Sequence, residues 1–109
     1  MRKTFIAEAD IEGHRFVTFG EAEGVVKATA SAEDKVIGVT NFIGAEKDRT
    51  VDVDFARVAE IKLAGTVAQG DDLAAAADGC AAKCGNSDTA VAVALAAGVK
   101  DDIIHILVK

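Results

Sequence analysis

Apolar and polar residues alternate along much of this chain. In "RTVDVDF" (49–55), Val51, Val53 and Phe55 fall on one side and Asp52 and Asp54 on the other. "RVAEIKLAG" (57–65) repeats the pattern, with Ala59, Ile61 and Leu63 set against Glu60 and Lys62. "HRFVTFG" (14–20), "GVVKATA" (24–30) and "DIIHILVK" (102–109, with a polar His105 inside it) also read as strands, and "KVIGVTNF" (35–42) is a short apolar run closed by Asn41. Period-two segments this short, separated by Gly- and Asp-rich punctuation, are the pattern of an all-β protein. The alanine-rich runs "DDLAAAADG" and "TAVAVALAAG" favour helix by intrinsic propensity. Each is short, however, and isolated short helices are marginal without packing. The second alternates Val91, Val93 and Leu95 with alanine, so 90–95 is expected to be a strand, with at most one helical turn near 72–77. Gly70-Asp71 and Asp78-Gly79 are the expected turns between the strands of "GTVAQGDDLAAAADGCAAKCG" (65–85).

The two halves echo one another. "VIGVTNFIGAEKDRTVDVDF" (36–55) matches "VAVALAAGVKDDIIHILVK" (91–109), pairing Lys47-Asp48 with Lys100-Asp101 and Val51, Val53 and Phe55 with Ile104, Ile106 and Val108. Upstream, "FVTFGEAEGVVKAT" resembles "TVAQGDDLAAAADGCAAK". The expected fold is therefore mainly β: a small β-barrel or β-clip-like domain, a pseudo-repeat of two β units with little helix.

Composition narrows the functions. At 109 residues the chain is one domain, and a protein of this size buries about 65% of its unfolded surface, enough for one core. With five Phe and neither Trp nor Tyr, that core must be Val, Ile, Leu and Ala, a thin core of the kind that gains from oligomerisation. A net charge of −6 argues against nucleic acid and anionic membranes as partners. No apolar run approaches the ~20 residues of a membrane span. "MRKTFIAEAD" lacks the apolar stretch of a signal peptide, so synthesis and folding in a cytoplasm are expected.

The candidate chemistry is sparse. Cys80 and Cys84, in a C-x₃-C spacing, lack the paired ligands of a zinc site. On an extended strand they would lie about 13 Å apart, too far for a disulfide unless the segment turns, so they are expected to be reduced and half-buried. His14 and His105 each stand alone in a strand pattern, as surface or satisfied histidines, or as groups with a metal or pH-sensing role. Asp52 and Asp54 could form an acid pair or, more ordinarily, a solvated strand face. Ser31 and Ser87 sit in polar turns, outside any nucleophile elbow. No catalytic, metal or cofactor site is expected. A biotinyl- or lipoyl-type carrier domain is the alternative, but Lys83 does not occupy a hairpin tip, the place such a domain modifies.

Order and spacing carry a resemblance. Ile37-Gly38-Val39 is followed by "GAEKDRTVDV", "VAEIKLAGTVAQGDDL", Asp78-Gly79, "AVAVALAAG" and "DIIHILVK". From about residue 8 to 109 this series resembles the capsid decoration (cement) proteins of tailed bacteriophages and prophages. Ala92, where that pattern has Gly, and the Cys80/Cys84 pair depart from it. The resemblance implies a structural protein without enzymatic activity. It would bind the outside of an assembled capsid, with the major capsid protein and its own copies, as a homotrimer in some relatives, for partners. It also implies residues 1–10 as an N-terminal arm on a single domain spanning 11–109. Phe5 and Ile6 would be the arm's capsid contacts. Such an arm would be mobile when free and ordered by strand addition to a capsid protein, or it would be the first strand of the domain's own sheet.

Overall fold

The computed structural model describes residues 2–85 and 89–109. Ten strands form two five-stranded units in succession. The first unit comprises β1 (Arg2–Ala7), β2 (Phe16–Phe19), β3 (Val25–Ala28), β4 (Gly38–Thr40) and β5 (Thr50–Asp54), closed into a barrel in the order β1-β3-β2-β4-β5. The second comprises β6 (Val58–Lys62), β7 (Asp72–Ala75), β8 (Ala81–Lys83), β9 (Ala92–Ala94) and β10 (Ile103–Val108), in the order β6-β10-β9-β7-β8. A parallel bridge between Leu63 and Ala81 joins its two ends, as the parallel pair Ala7–Val26 does in the first.

The expected pseudo-repeat is present down to the pairing of single residues. Arg2 pairs with Asp54 as Val58 does with Leu107, and Val17 with Ala28 as Leu73 does with Lys83. Val17 meets Gly38 as Leu73 meets Ala92, and Thr40 meets Val53 as Ala94 meets Ile106. Asp48 and Asp101, matched in sequence, both take the left-handed conformation, at φ 68° and 73°. Their amides donate to Ala7 and Leu63, at 2.8 and 2.9 Å. The upstream echo holds for its second part: Gly24 and Gly79 are counterparts, whereas Phe16–Phe19 answers to Asp72–Ala75 rather than to the residues before Gly70.

Alternation decides which faces are buried. Val51 and Val53 on β5, and Ile104 and Ile106 on β10, point inward while Asp54, Ile103 and His105 face solvent. The alanine-rich segment is extended where its propensity favours helix. Leu73, Ala74 and Ala75 are all buried because β7 lies between β8 and β9, and sheet pairing there overrides local preference. The helical turn expected near 72–77 is displaced to a single 3₁₀ turn at Ala77–Gly79. Asp78 and Gly79 both have positive φ, and the Cys80 amide donates to the Ala77 carbonyl at 3.3 Å. That is the primed two-residue turn that an Asp-Gly pair favours between antiparallel strands.

Arg2–Ala7 is not a free arm, and the first-strand alternative is the one the fold adopts. Arg2–Ile6 pair with Thr50–Asp54 and Ile6-Ala7 with Val25-Val26, so β1 is an integral strand of the barrel.

One apolar cluster fills the first barrel, with Val17, Val26, Val51 and Val53 among its members. A larger one fills the second unit and extends across the junction to Phe16 and Val39 of the first. Polar groups stitch the same junction. The Asp78-Gly79 turn sits against Phe16, the Gly79 amide donates to the Thr29 carbonyl at 3.0 Å, and the Thr29 hydroxyl donates to the Ala76 carbonyl at 3.1 Å. Arg15, nearly fully buried, donates to the Asp78 carbonyl at 3.1 Å and to Glu12 at 2.6 Å.

Candidate functional site

A groove of about 460 Å³ runs along the seam between the two units. Arg2, Asp52 and Asp54 enter it from β1 and β5, and Val58, Glu60 and His105 from β6 and β10. His14 is not in a strand, as its surroundings in the sequence suggest. It lies in the loop before β2 at φ 58°, donating its amide to Asn41 at 3.1 Å and accepting from Lys62 at 3.0 Å. The fold thereby brings both histidines, isolated in sequence, to one carboxylate. His14 Nδ1 is 4.0 Å from Glu60 Oε2, and His105 Nε2 is 3.5 Å from Glu60 Oε1. His105 reaches it because the two residues are directly cross-strand neighbours. Nothing in the sequence could announce this convergence, which arises where the two units meet.

The remaining candidates make contacts of their own. Asp52 accepts from the Thr4 hydroxyl at 2.8 Å and lies 3.6 Å from Arg2, while Asp54 accepts from the Ala56 amide at 2.9 Å. Both are thus tied into the surface of β5. The Ser31 oxygen accepts from the Glu33 amide at 3.3 Å, a turn contact, and Ser87 lies outside the described residues. Cys80 is buried, and Cys84 Sγ lies 3.1 Å from the Thr89 hydroxyl; neither cysteine is in a disulfide. Among the described residues no three or more His, Cys, Asp or Glu side chains are arranged to hold a metal ion. Lys83 lies on β8, 3.9 Å from Asp71.

The turn residues lie where chain direction changes. Gly70 has φ 87° and Asp71 accepts the Ala68 amide at 2.8 Å, while Asp78-Gly79 forms the β7–β8 turn already described. Phe5 is half-buried, edge-on to Phe55 with ring centroids 6.3 Å apart, and Lys3 lies over its ring at 5.8 Å. Ile6 is exposed on β1.

Sequence reasoning passed over the loop between β4 and β5. Phe42 and Ile43 are the two most exposed large apolar residues among those described, at 75% and 70%. Phe42 lines the seam groove, and Ile43 lines a second hollow that also includes Asp10, Glu12, Glu46 and Arg49. A signal was available in "TNFIGA": two large apolar residues placed between Asn and Gly, outside any alternating run.

No protein-family profile matches the chain, and no curated protein matches it in sequence. Among solved structures it is similar to the N base of head fiber gp8.5 in bacteriophage phi29. The TM-score is 0.82 at 13% sequence identity, over 100% of this chain and 93% of that one. At that identity the similarity is one of fold, and it extends over both β units.

Proposed function

We propose that this protein is a structural component of a phage particle that binds the outside of the assembled capsid and stabilises it, as a decoration protein does. The observation that carries this reading is the fold it shares, over its whole length, with the base of a phage head fiber. Support comes independently from the order of motifs from Ile37-Gly38-Val39 to "DIIHILVK", which resembles that of decoration proteins. The carrier reading is not favoured, because Lys83 lies within a strand and beside Asp71 instead of at a hairpin tip.

The proposed partners are the major capsid protein and further copies of this chain, a homotrimer being the expected assembly. The test is co-sedimentation of the purified protein with empty shells of the phage that encodes it, combined with light scattering of the free protein. Saturable binding to shells, with a shift of shell disruption to higher temperature, is the expected result. A free mass near three times 11.2 kDa would support the trimer. Absence of binding to mature and immature shells alike would overturn the reading.

A further inference from the structure

The two units provide an internal comparison, because the paired strand residues of one have counterparts in the other. The first unit is one residue longer in each of three loops, and in the loop after β4 the longer version also carries exposed large apolar side chains. Between the matched positions Gly38 and Ala45 the first unit has one more residue than the second has between Ala92 and Gly98. The longer loop carries Phe42 and Ile43 where the shorter one, "LAAG", has only alanine beyond Leu95. Both large side chains project into solvent, a placement that costs solubility unless something covers them.

The backbone beneath them is tightly fixed. Asn41 Oδ1 accepts the amides of Ile43, at 3.1 Å, and Gly44, at 3.0 Å. Gly44 has φ 70° and passes so close to the Ile11 carbonyl that a side chain there would collide with it. Gly13 packs equally closely beneath the Phe42 carbonyl. The His14 amide donates to the Asn41 carbonyl from the other side. An apolar pair held this way loses little conformational freedom on binding, which is the property of an interface anchor.

The surroundings specify the partner's chemistry. On the Phe42 side the seam groove carries Asp52, Asp54 and Glu60 against Arg2, with His14 and His105 beside Glu60, and on the Ile43 side the second hollow carries Asp10, Glu12 and Glu46 against Arg49. In formal charge, with histidine counted as neutral, both flanks are net negative. A second copy of this chain, with net charge −6, would bring like charges together there, so the homotrimer expected above would form through another face.

We infer that the Phe42-Ile43 tip is the anchor by which this protein docks onto a partner protein surface, an apolar socket rimmed by lysine and arginine. The identification of that surface with the capsid shell rests on the function proposed above.

The experiment is equilibrium binding to empty shells of the encoding phage. It compares wild type, Phe42→Ala, Ile43→Ala, the double variant, Glu46→Lys, and Val99→Ala as a control on an exposed loop of the second unit. Because the replaced side chains are exposed, melting temperatures should stay at the wild-type value, and Phe42→Leu should retain most of the binding. The double variant should bind about tenfold or more weakly, the size expected for loss of a central anchor. Glu46→Lys should weaken binding at low salt, with the deficit shrinking as salt rises. Val99→Ala should bind as wild type does. Wild-type binding with an unimpaired double variant would overturn this inference and leave the proposed function intact. No binding by wild type would overturn both. A double variant that melts early would be set aside for the two single variants, whose unimpaired binding would be equally decisive against the anchor.

Discussion

Gly24 and Gly79 occupy the same place in the two units and the same left-handed region, at φ 80° and 73°. Their surroundings differ. A Cβ at Gly24 would meet nothing within 4 Å, whereas one at Gly79 would lie 2.6 Å from the Phe16 carbonyl and 2.8 Å from Arg15 Cβ. Gly24→Ala should therefore cost only the left-handed backbone term, about 1–2 kcal/mol. Gly79→Ala adds a collision with backbone at the junction and should cost on the order of 3 kcal/mol or more. Urea denaturation of the two variants separates the terms, and equal losses would show that the turn does not bear on the junction as described. At this scale the sequence is legible where chemistry is local. The Asp78-Gly79 pair announces its turn because few other residues accept two positive φ values in succession. His14 and His105 do not announce Glu60, because their approach depends on how two distant segments are juxtaposed.

For the strands, burial follows the alternation closely enough to test on one of them. Ile106 on β10 is fully buried, while Ile103 on the same strand is half exposed. Ile106→Ala should cost about 2–5 kcal/mol, the range for a truncation that leaves a cavity. Ile103→Ala should stay below about 1 kcal/mol. Similar losses at both sites would mean that a further surface covers Ile103 in solution. β5, β6 and β10 could be read from sequence because Val51 and Val53, Ile61, and Ile104 and Ile106 recur at alternate positions, between more polar or more exposed neighbours. β7 was harder, since Leu73 is its only large apolar residue and its alanines carry no periodic contrast. β1 could be read as an arm or as a strand because Phe5 and Ile6 are adjacent and break the alternation. Its partner β5 lies more than forty residues away, and the pairing Phe5–Val51 is what makes it a strand.

Across the whole molecule, the larger core cluster is shared between the units, since Phe16 and Val39 pack with Ile61, Leu63 and Leu73. Arg15, Thr29 and Gly79 add hydrogen bonds and close contacts across the same boundary. Unfolding one unit would expose apolar surface of the other, so the two should unfold together. Calorimetry should show a single transition whose calorimetric and van't Hoff enthalpies agree. Two resolved transitions would indicate units that are independent in stability. The duplicated plan was visible in the sequence, in the matched Lys-Asp pairs and the strands after them. The seam groove was not, because it forms only where the two units are brought together.

The one-residue difference between the loops after β4 and β9 has a consequence for valency. The second unit carries the same scaffold with a blank loop, so each chain offers one exposed aromatic-aliphatic tip where its architecture has room for two. On the anchor proposed above, each copy makes one such attachment, and any further valency comes from the oligomer alone. On the same proposal, writing Asn41–Gly44 into the second unit in place of Leu95–Ala97 would double the attachments each copy can make, and light scattering of such a variant mixed with shells should show more cross-linked aggregate than the natural chain gives.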